Sequence, residues 1–253
     1  MVNLTTVGNV VWKIALIISI SQLIILFILG SIPHTMSGDT VEITHLTFLA
    51  FLNMALLVLI TSPIIYIWVI RPFVKARDEA ILHVTHLAHY DQLTNLGNRR
   101  FIYQNLERIK AQSDRRNIFG AVLLIDLNNF KPINDEYGHD AGDAILIGVA
   151  EQLTNVVRGE DIVGRLGGDE FVVLINHLDK DEQISSKKIL KIVEKLQSAI
   201  STSIEFDSDE LVVGSSIGIC IFKGKNNSND ELIKRADTAM YKAKKNNTQF
   251  SIY

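Results

Sequence analysis

Residues 46–70 form a run of 25 residues without one charged side chain. As a helix this run is about 38 Å long, more than the roughly 30 Å hydrocarbon core of a bilayer. Apolar all round, it has no polar face to turn to water. A second run, residues 10–30, is interrupted only by Lys13 near its start and by Ser19, Ser21 and Gln22. The rival reading of that first run is a cleaved signal peptide. Such a peptide has a shorter apolar region, roughly 7–15 residues, and an A-x-A-like site after it. No such site follows, so an uncleaved anchor is expected. The expectation is a two-helix transmembrane hairpin within residues 1–72, with spans at about 10–30 and 46–70.

Basic residues set the expected orientation. Lys13 flanks the first run, and Arg71, Lys75 and Arg77 follow the second, whereas residues 31–45 contain Asp39 and Glu42 but no Lys or Arg. Both termini are therefore expected on the cytoplasmic side, with a short external loop. Trp12, Tyr66 and Trp68 fall near the cytoplasmic ends, where amphipathic rings favour the interface. Pro63 cannot donate to the Leu59 carbonyl, which predicts a bend. Asn53, Ser19 and Gln22 are expected to find polar partners between helices.

Charge divides the chain. Residues 71–253 hold 24 of the 25 basic and 26 of the 28 acidic residues. That near-neutral balance excludes a strongly basic nucleic-acid binder, and no nucleic-acid partner is expected. A lone cysteine, Cys220, between Ile219 and Ile221, excludes an internal disulfide framework and reads as a buried strand residue. Residues 73–90 read as a helical linker, in which Ile81, Val84 and Ala88 suggest a seam for a second copy. His83, His86 and His89 recur every three residues and walk around the helix, so they read as a solvated face rather than a metal site.

Beyond the linker the pattern alternates. Helices are predicted at 99–116, 140–157 and 184–200, and another capped by Asn229 or Asp230. Strands are predicted at 121–126, 162–166, 171–175, 211–222 and 249–252. The implied class is α/β (α+β), an antiparallel-rich sheet with helices packed on it. Asp126 ends a hydrophobic strand, and Asp169 and Glu170 follow the Gly167-Gly168 turn. Each alone reads as turn chemistry. Together they place carboxylates at one sheet edge, which suits a hard cation.

Gly167-Gly168-Asp169-Glu170-Phe171 resembles the signature of GGDEF domains, the diguanylate cyclase family. Four further stretches resemble that family in the same order. Asp91-Gln92-Leu93-Thr94 through Asn98-Arg99-Arg100 matches its opening motif. Asp126-Leu127-Asn128-Asn129-Phe130-Lys131 through Asn134-Asp135 matches its metal and substrate loop. Tyr137-Gly138-His139 through Gly142-Asp143 continues it, and Ala236-Asp237 through Ala243-Lys244 matches its late helix. The resemblance assigns 91–253 to a GGDEF catalytic domain with a five-stranded, antiparallel-rich sheet like that of nucleotidyl cyclases and polymerase palms.

The resemblance implies a diguanylate cyclase that condenses two GTP into cyclic di-GMP and two pyrophosphates. It implies a homodimer, and with the two spans and orientation read above the chain is expected among the lipids of the bacterial inner membrane as a multi-pass protein with its catalytic domain in the cytoplasm. Asp126, Asp169 and the carbonyl of Leu127 resemble ligands for two Mg²⁺ ions, with Asp169 also a candidate to take the 3′-OH proton. Lys131 would neutralise phosphoryl charge, and Glu170 takes a supporting role. Asn134 and Asp143 match the guanine-reading pair, and Lys244 would reach the terminal phosphates. His139 either contacts nucleotide or holds the Tyr137-Gly138 turn. Thr248 stands where the family usually carries a basic residue. Arg158 and Asp161 form an R-x-x-D pattern, with five residues between Asp161 and Gly167, resembling the inhibitory site for cyclic di-GMP; the bland alternative is a helix terminus. The alternative function is a catalytically silent GGDEF module that binds GTP or cyclic di-GMP.

Overall fold

The computed structural model describes the backbone of residues 4–30 and 39–253, and the side chains of residues 9–25, 27 and 48–253. The chain forms two units, residues 1–83 and 84–253. In the first, α1 (Leu4–Gly30) packs along α2 (Asp39–Ile65). Residues 31–38 of the expected external loop lie outside the described residues, and the chain is helical again from Asp39, ahead of the expected start at 46. Ser21, Ile25 and Thr61 are buried, while Phe27, Phe51 and Leu59 are exposed. Thr61 satisfies its hydroxyl on the Leu57 carbonyl (2.6 Å). The amide oxygen of Asn53 is buried without a hydrogen-bond partner among the described residues.

Among those residues, one helix is long and apolar enough to cross a membrane, at 48–89; the apolar part of the first helix is the shorter stretch Asn9–Ile25. By length and composition alone, one described helix thus fits an expected span, and the two-helix hairpin is not shown. Pro63 does not end α2. The helix runs on to Ile65 and opens into a π turn, Tyr66–Ile70, where Arg71 N–H donates to the Tyr66 carbonyl. A widened turn is one way of absorbing an interrupted hydrogen-bond ladder. Next comes α3 (Arg71–His89), close to the predicted linker helix. His86 stacks on Tyr90 with ring centroids 4.6 Å apart, and His89 Nδ1 lies 2.9 Å from the Thr85 carbonyl.

The second unit is built on a five-stranded sheet of order β2-β3-β1-β6-β7. These strands are β1 (Phe119–Asn128), β2 (Ile162–Gly167), β3 (Glu170–Ile175), β6 (Gly214–Lys223) and β7 (Phe250–Ile252). β4 (Ile204–Phe206) and β5 (Asp209–Leu211) make a separate small hairpin. The predicted strand 211–222 is therefore two elements, divided at Val212-Val213. All pairings in the large sheet are antiparallel except β6 with β7, so the sheet is mixed.

Strand β1 is buried along nearly its whole length because both of its faces are covered. Leu123, Ile125 and Leu127 join Phe171, Val173 and Ile175 under α6 (His139–Val156) and α7 (Glu182–Ile200). Val122 and Leu124 join Val172, Leu174 and Cys220 under α4 (Arg99–Arg116) and α8 (Asn229–Lys245). Burial pushes the Cys220 thiol up to about 11, which leaves it inert. Helix α4 has the predicted bounds, capped by Asn98, whose side chain accepts from Phe101 N–H. The cap of α8 is Ser228, not Asn229 or Asp230, because its hydroxyl accepts from Glu231 N–H at 3.1 Å. Asn229 instead ties α8 to α4, donating to the Tyr103 carbonyl and accepting from the buried Lys110. One helix was not predicted: α5 (Phe130–Tyr137) occupies what reads in the sequence as loop.

Helix α8 lies directly on β6 at Gly218, where a Cβ would collide with the Ala236 carbonyl and the Met240 backbone, its α-carbon 2.7 Å away. Neither obstacle is a side-chain tip that can swing aside. Gly218→Ala is expected to lower stability by about 1–3 kcal/mol through overpacking. A thermal melt of the purified protein with no lowered midpoint would contradict this contact.

Candidate active site at the end of β1

Three elements meet where β1 and β3 part. On β1, even-numbered residues face α4 and α8, so Asp126 follows Val122 and Leu124 on that face. Register places Asp126 opposite Glu170 on β3 and opposite Ser216 on β6. On α8, Leu232, Ala236 and Met240 cover the sheet at four-residue intervals, and Lys244 is the next step of that stripe. Its Nζ donates to Asp126 Oδ1 at 2.7 Å. The hydrogen bond to Asp126 raises the Lys244 pKa against its desolvation, and the charges of Asp126, Asp169 and Glu170 add to the effect. Glu170 is also pushed up, first by burial, then by the charges of Asp126, Asp237 and Asp169. Asp237, absent from the sequence-based site, thus belongs to this acidic neighbourhood.

Gly167 and Gly168 take φ of +143° and +55°, backbone that side-chain-bearing residues rarely adopt, and turn β2 into β3. The turn is held from both sides. Leu127 N–H donates to the Asp169 carbonyl at 3.3 Å. Arg165 donates from Nε (2.9 Å) and Nη2 (2.7 Å) to the Gly168 carbonyl, and from Nη1 to Asp91 Oδ1 (3.0 Å). Asp91 Oδ1 also accepts from Thr94 N–H and its hydroxyl, at 2.9 and 2.7 Å. Burial raises the Asp91 pKa, but the Thr94 and Arg165 hydrogen bonds outweigh it and leave the carboxyl below its ordinary range. Sequence reasoning missed Arg165, since no spacing rule connects it with Asp91.

The substrate-loop residues fall on α5 and the start of α6. Lys131, His139 and Asp143 are exposed, and Lys131 makes no ion pair or side-chain hydrogen bond among the described residues. Asn134 is half-buried, with its amide against Gly142, the neighbour of Asp143. The structure therefore brings Asn134 against Gly142, and brings Asp126, Glu170 and Lys244 together. A cavity of about 370 Å³ opens beside Lys244, lined by Asn128, Asn129, Ser215, Ser216 and Thr248 among others. Ser216 donates to Asn128 Oδ1 at 2.9 Å, which fixes that wall.

Arg158 and Asp161 lie apart from this site, in the turn between α6 and β2. Asp161 Oδ2 accepts from Arg158 N–H (3.3 Å) and Oδ1 from Asn176 N–H (3.1 Å). Burial pushes the Asp161 carboxyl up. Arg158 is exposed, and with Asp161, His177, Lys188, Lys191 and Lys195 it borders a cavity of about 220 Å³.

Residues 88–249 match the family of GGDEF domains described as diguanylate cyclase. The chain is 40% identical over 158 residues to the bifunctional diguanylate cyclase/cyclic di-GMP phosphodiesterase MucR of Pseudomonas aeruginosa, a match to 62% of this chain and 22% of MucR. It is 38% identical over 160 residues to the diguanylate cyclase DgcP of Escherichia coli, covering 62% of this chain and 45% of DgcP. It thus spans less than half the length of either relative. Among solved structures, the isolated GGDEF domain of TpbB from Pseudomonas aeruginosa superposes with a TM-score of 0.58 at 35% identity, covering 62% of this chain and 90% of that one.

The Arg165 clamp generates a structural prediction. Arg165→Met removes charge-assisted hydrogen bonds worth about 1.5–3 kcal/mol. Amide exchange at residues 167–170, read by mass spectrometry, is expected to accelerate about tenfold or more, with exchange in α7 unchanged. Wild-type protection of the turn would show that Gly168 is held without Arg165.

Proposed function

The chain belongs to the GGDEF-domain diguanylate cyclase family, and from that premise we propose that it condenses two GTP molecules into cyclic di-GMP and two pyrophosphates. The observation that carries this reading is the set of carboxylates at the end of β1 and β3, with Lys244 on Asp126. The donor types suit Mg²⁺: Asp126 and Asp169 carboxylates and the Leu127 carbonyl are hard oxygens, and the mutual repulsion felt by Glu170 is what a cation relieves, although among the described residues no three His, Cys, Asp or Glu side chains are gathered to hold an ion by themselves. Two Mg²⁺ ions held there would stabilise charge on the attacked phosphate and help ionise the incoming hydroxyl.

The side chains of this chain supply the rest. Asn134 offers a donor and an acceptor, and Asp143 accepts from N1–H and N2–H₂, which together read guanine. Lys131, exposed and unpaired among the described residues, is free to meet phosphoryl charge. Lys244 borders the cavity that Thr248 also lines, the place for the outer phosphates. Asp169 stands to accept the 3′-OH proton, with Glu170 beside it. Asn128, Ser215 and Ser216 add neutral polar groups to that wall, so Thr248 in place of a base weakens GTP binding rather than ending it.

Each domain holds one GTP, so two copies must face each other as a homodimer. Exposed Ile81 and Val84 on α3 offer an apolar seam for that pairing. The first unit is the membrane anchor, a hairpin of two spans in the bacterial inner membrane with both termini cytoplasmic. Its buried Ser21 and Thr61 and exposed Phe27, Phe51 and Leu59 support it, since lipid-facing bundles keep large apolar side chains outside. Arg158 and Asp161 form a product site for cyclic di-GMP, where the three lysines of α7 add positive charge.

The decisive test is synthesis by the purified full-length protein in detergent, given GTP and Mg²⁺, with cyclic di-GMP read by chromatography. Asp126→Asn and Asp169→Asn are each expected to lower the product at least about a hundredfold, with unchanged circular dichroism. Substantial synthesis by either variant would sink the metal-site assignment, and no product from the wild type would favour the silent-module alternative. The product site has its own test. Wild-type progress curves are expected to bend as cyclic di-GMP accumulates. Arg158→Ala should stay linear longer and bind the product at least about tenfold more weakly by calorimetry. Unchanged affinity would reduce the motif to the turn that Asp161 holds.

A further inference from the structure

Gly142 is buried in the first turns of α6, and the space where its side chain would be is filled. A Cβ there would collide with Asn134 Oδ1 and lie 2.8 Å from its Cγ and 3.2 Å from Nδ2. Turning the amide over does not relieve the contact, because the whole group occupies the volume. Backbone hydrogen bonds lock the approach: Gly138 N–H donates to the Asn134 carbonyl (3.0 Å) and Gly142 N–H to the Gly138 carbonyl (3.4 Å). Helix α5 therefore delivers the Asn134 side chain onto the bare α-carbon of Gly142, the residue before Asp143.

We propose that Gly142 is a positioning residue for nucleotide recognition: the absence of a side chain creates the seat in which the Asn134 amide is held against the α6 backbone, one residue before Asp143 in sequence. This rests on the reading of Asn134 as a guanine-recognising group. The seat matters because an amide recognises a base edge only when its donor and acceptor keep one orientation. The three atoms nearest an added methyl group all belong to the soft end of the Asn134 side chain. The strain of Gly142→Ala therefore falls on the orientation of Asn134 and not on the helix, for which alanine is intrinsically better than glycine.

The test is a double-substitution cycle in the full-length protein, using initial rates over a GTP series with ATP as competitor. Gly142→Ala is expected to raise KM for GTP at least about fivefold, the equivalent of one hydrogen bond, with kcat within about twofold. ATP should compete better, and the melting midpoint should hold or rise. In an Asn134→Ala background the added Gly142→Ala should change KM by less than about twofold, since the group it displaces is gone. A wild-type KM in Gly142→Ala, an equal penalty in both backgrounds, or a lowered melting midpoint would each overturn the proposal. If Asn134→Ala itself leaves KM and ATP competition unchanged, it is the guanine-recognition reading that fails, and the seat loses its purpose with it.

Discussion

The register of β1 against its two neighbours is the constraint on which the second unit depends. Ten residues of β1 pair with β6, and six of them also pair with β3. Both faces of the strand are apolar and covered, so a slip by one residue would drive Asp126 and Asn128 into the α6–α7 layer and expose Leu127. Burying an unpaired carboxylate among Leu and Ile costs several kcal/mol. Hydrophobic patterning in the middle of the strand thus determines where a carboxylate emerges at its end. Glu170 and Ser216 inherit their places from the same register.

The acids at that edge stay together because other elements hold them there. Glu170 is fixed by the ladder, Asp169 by the turn, and Asp126 by the strand, so none can relax away from the others' charge. Lys244 is the compensation built into the fold, and it arrives by extension of the apolar stripe of α8. Close packing at Gly218 sets the height of that helix over the sheet. The pair is only partly buried, with the Lys244 side chain 53% exposed and that of Asp126 13%. Its contribution to stability is therefore small. Lys244 can consequently exchange a carboxylate for another anion at little energetic cost.

Much of this was legible in the sequence wherever periodicity was strong. Helix α4 has the bounds read from its apolar spacing, and Asp126 closes the ladder of β1 with β3, although β1 itself runs on two residues to Asn128 beside β6. What escaped was set by contacts distant in sequence or by short elements. Helix α5 has eight residues with Pro132 inside, too few turns for a period to show. The cap of α8 was misplaced because Ser228, Asn229 and Asp230 are all competent caps. Tertiary bonding decided among them, since Asn229 is drawn to Tyr103 and Lys110. Arg165 carried no signal, because its partners are a backbone carbonyl and an aspartate 74 positions away. The proximity of Asn134 to Gly142 was equally silent, since a missing side chain is not a motif.

Asp161 shows why a structural and a ligand-binding reading of one residue need not compete. Its two oxygens accept from Arg158 N–H and Asn176 N–H, tying the turn after α6 to the end of β3. An ionised carboxylate has about four lone-pair sites, so each oxygen retains capacity after those bonds are made. Its raised pKa reports burial that these hydrogen bonds only partly offset, the condition under which a further donor contributes most. Arg158, by contrast, gives only its backbone to the turn, its N–H donating to Asp161 Oδ2 and its carbonyl accepting from Asp161 N–H (2.9 Å), and its side chain is exposed. The two residues of the motif thus divide the work. Asp161 shapes the turn that starts β2, the strand that also carries Arg165 to the Gly168 carbonyl. A ligand drawing on Asp161 would therefore pull on the strand that leads into the Gly167-Gly168 turn, whereas one held by Arg158 alone would leave that strand untouched.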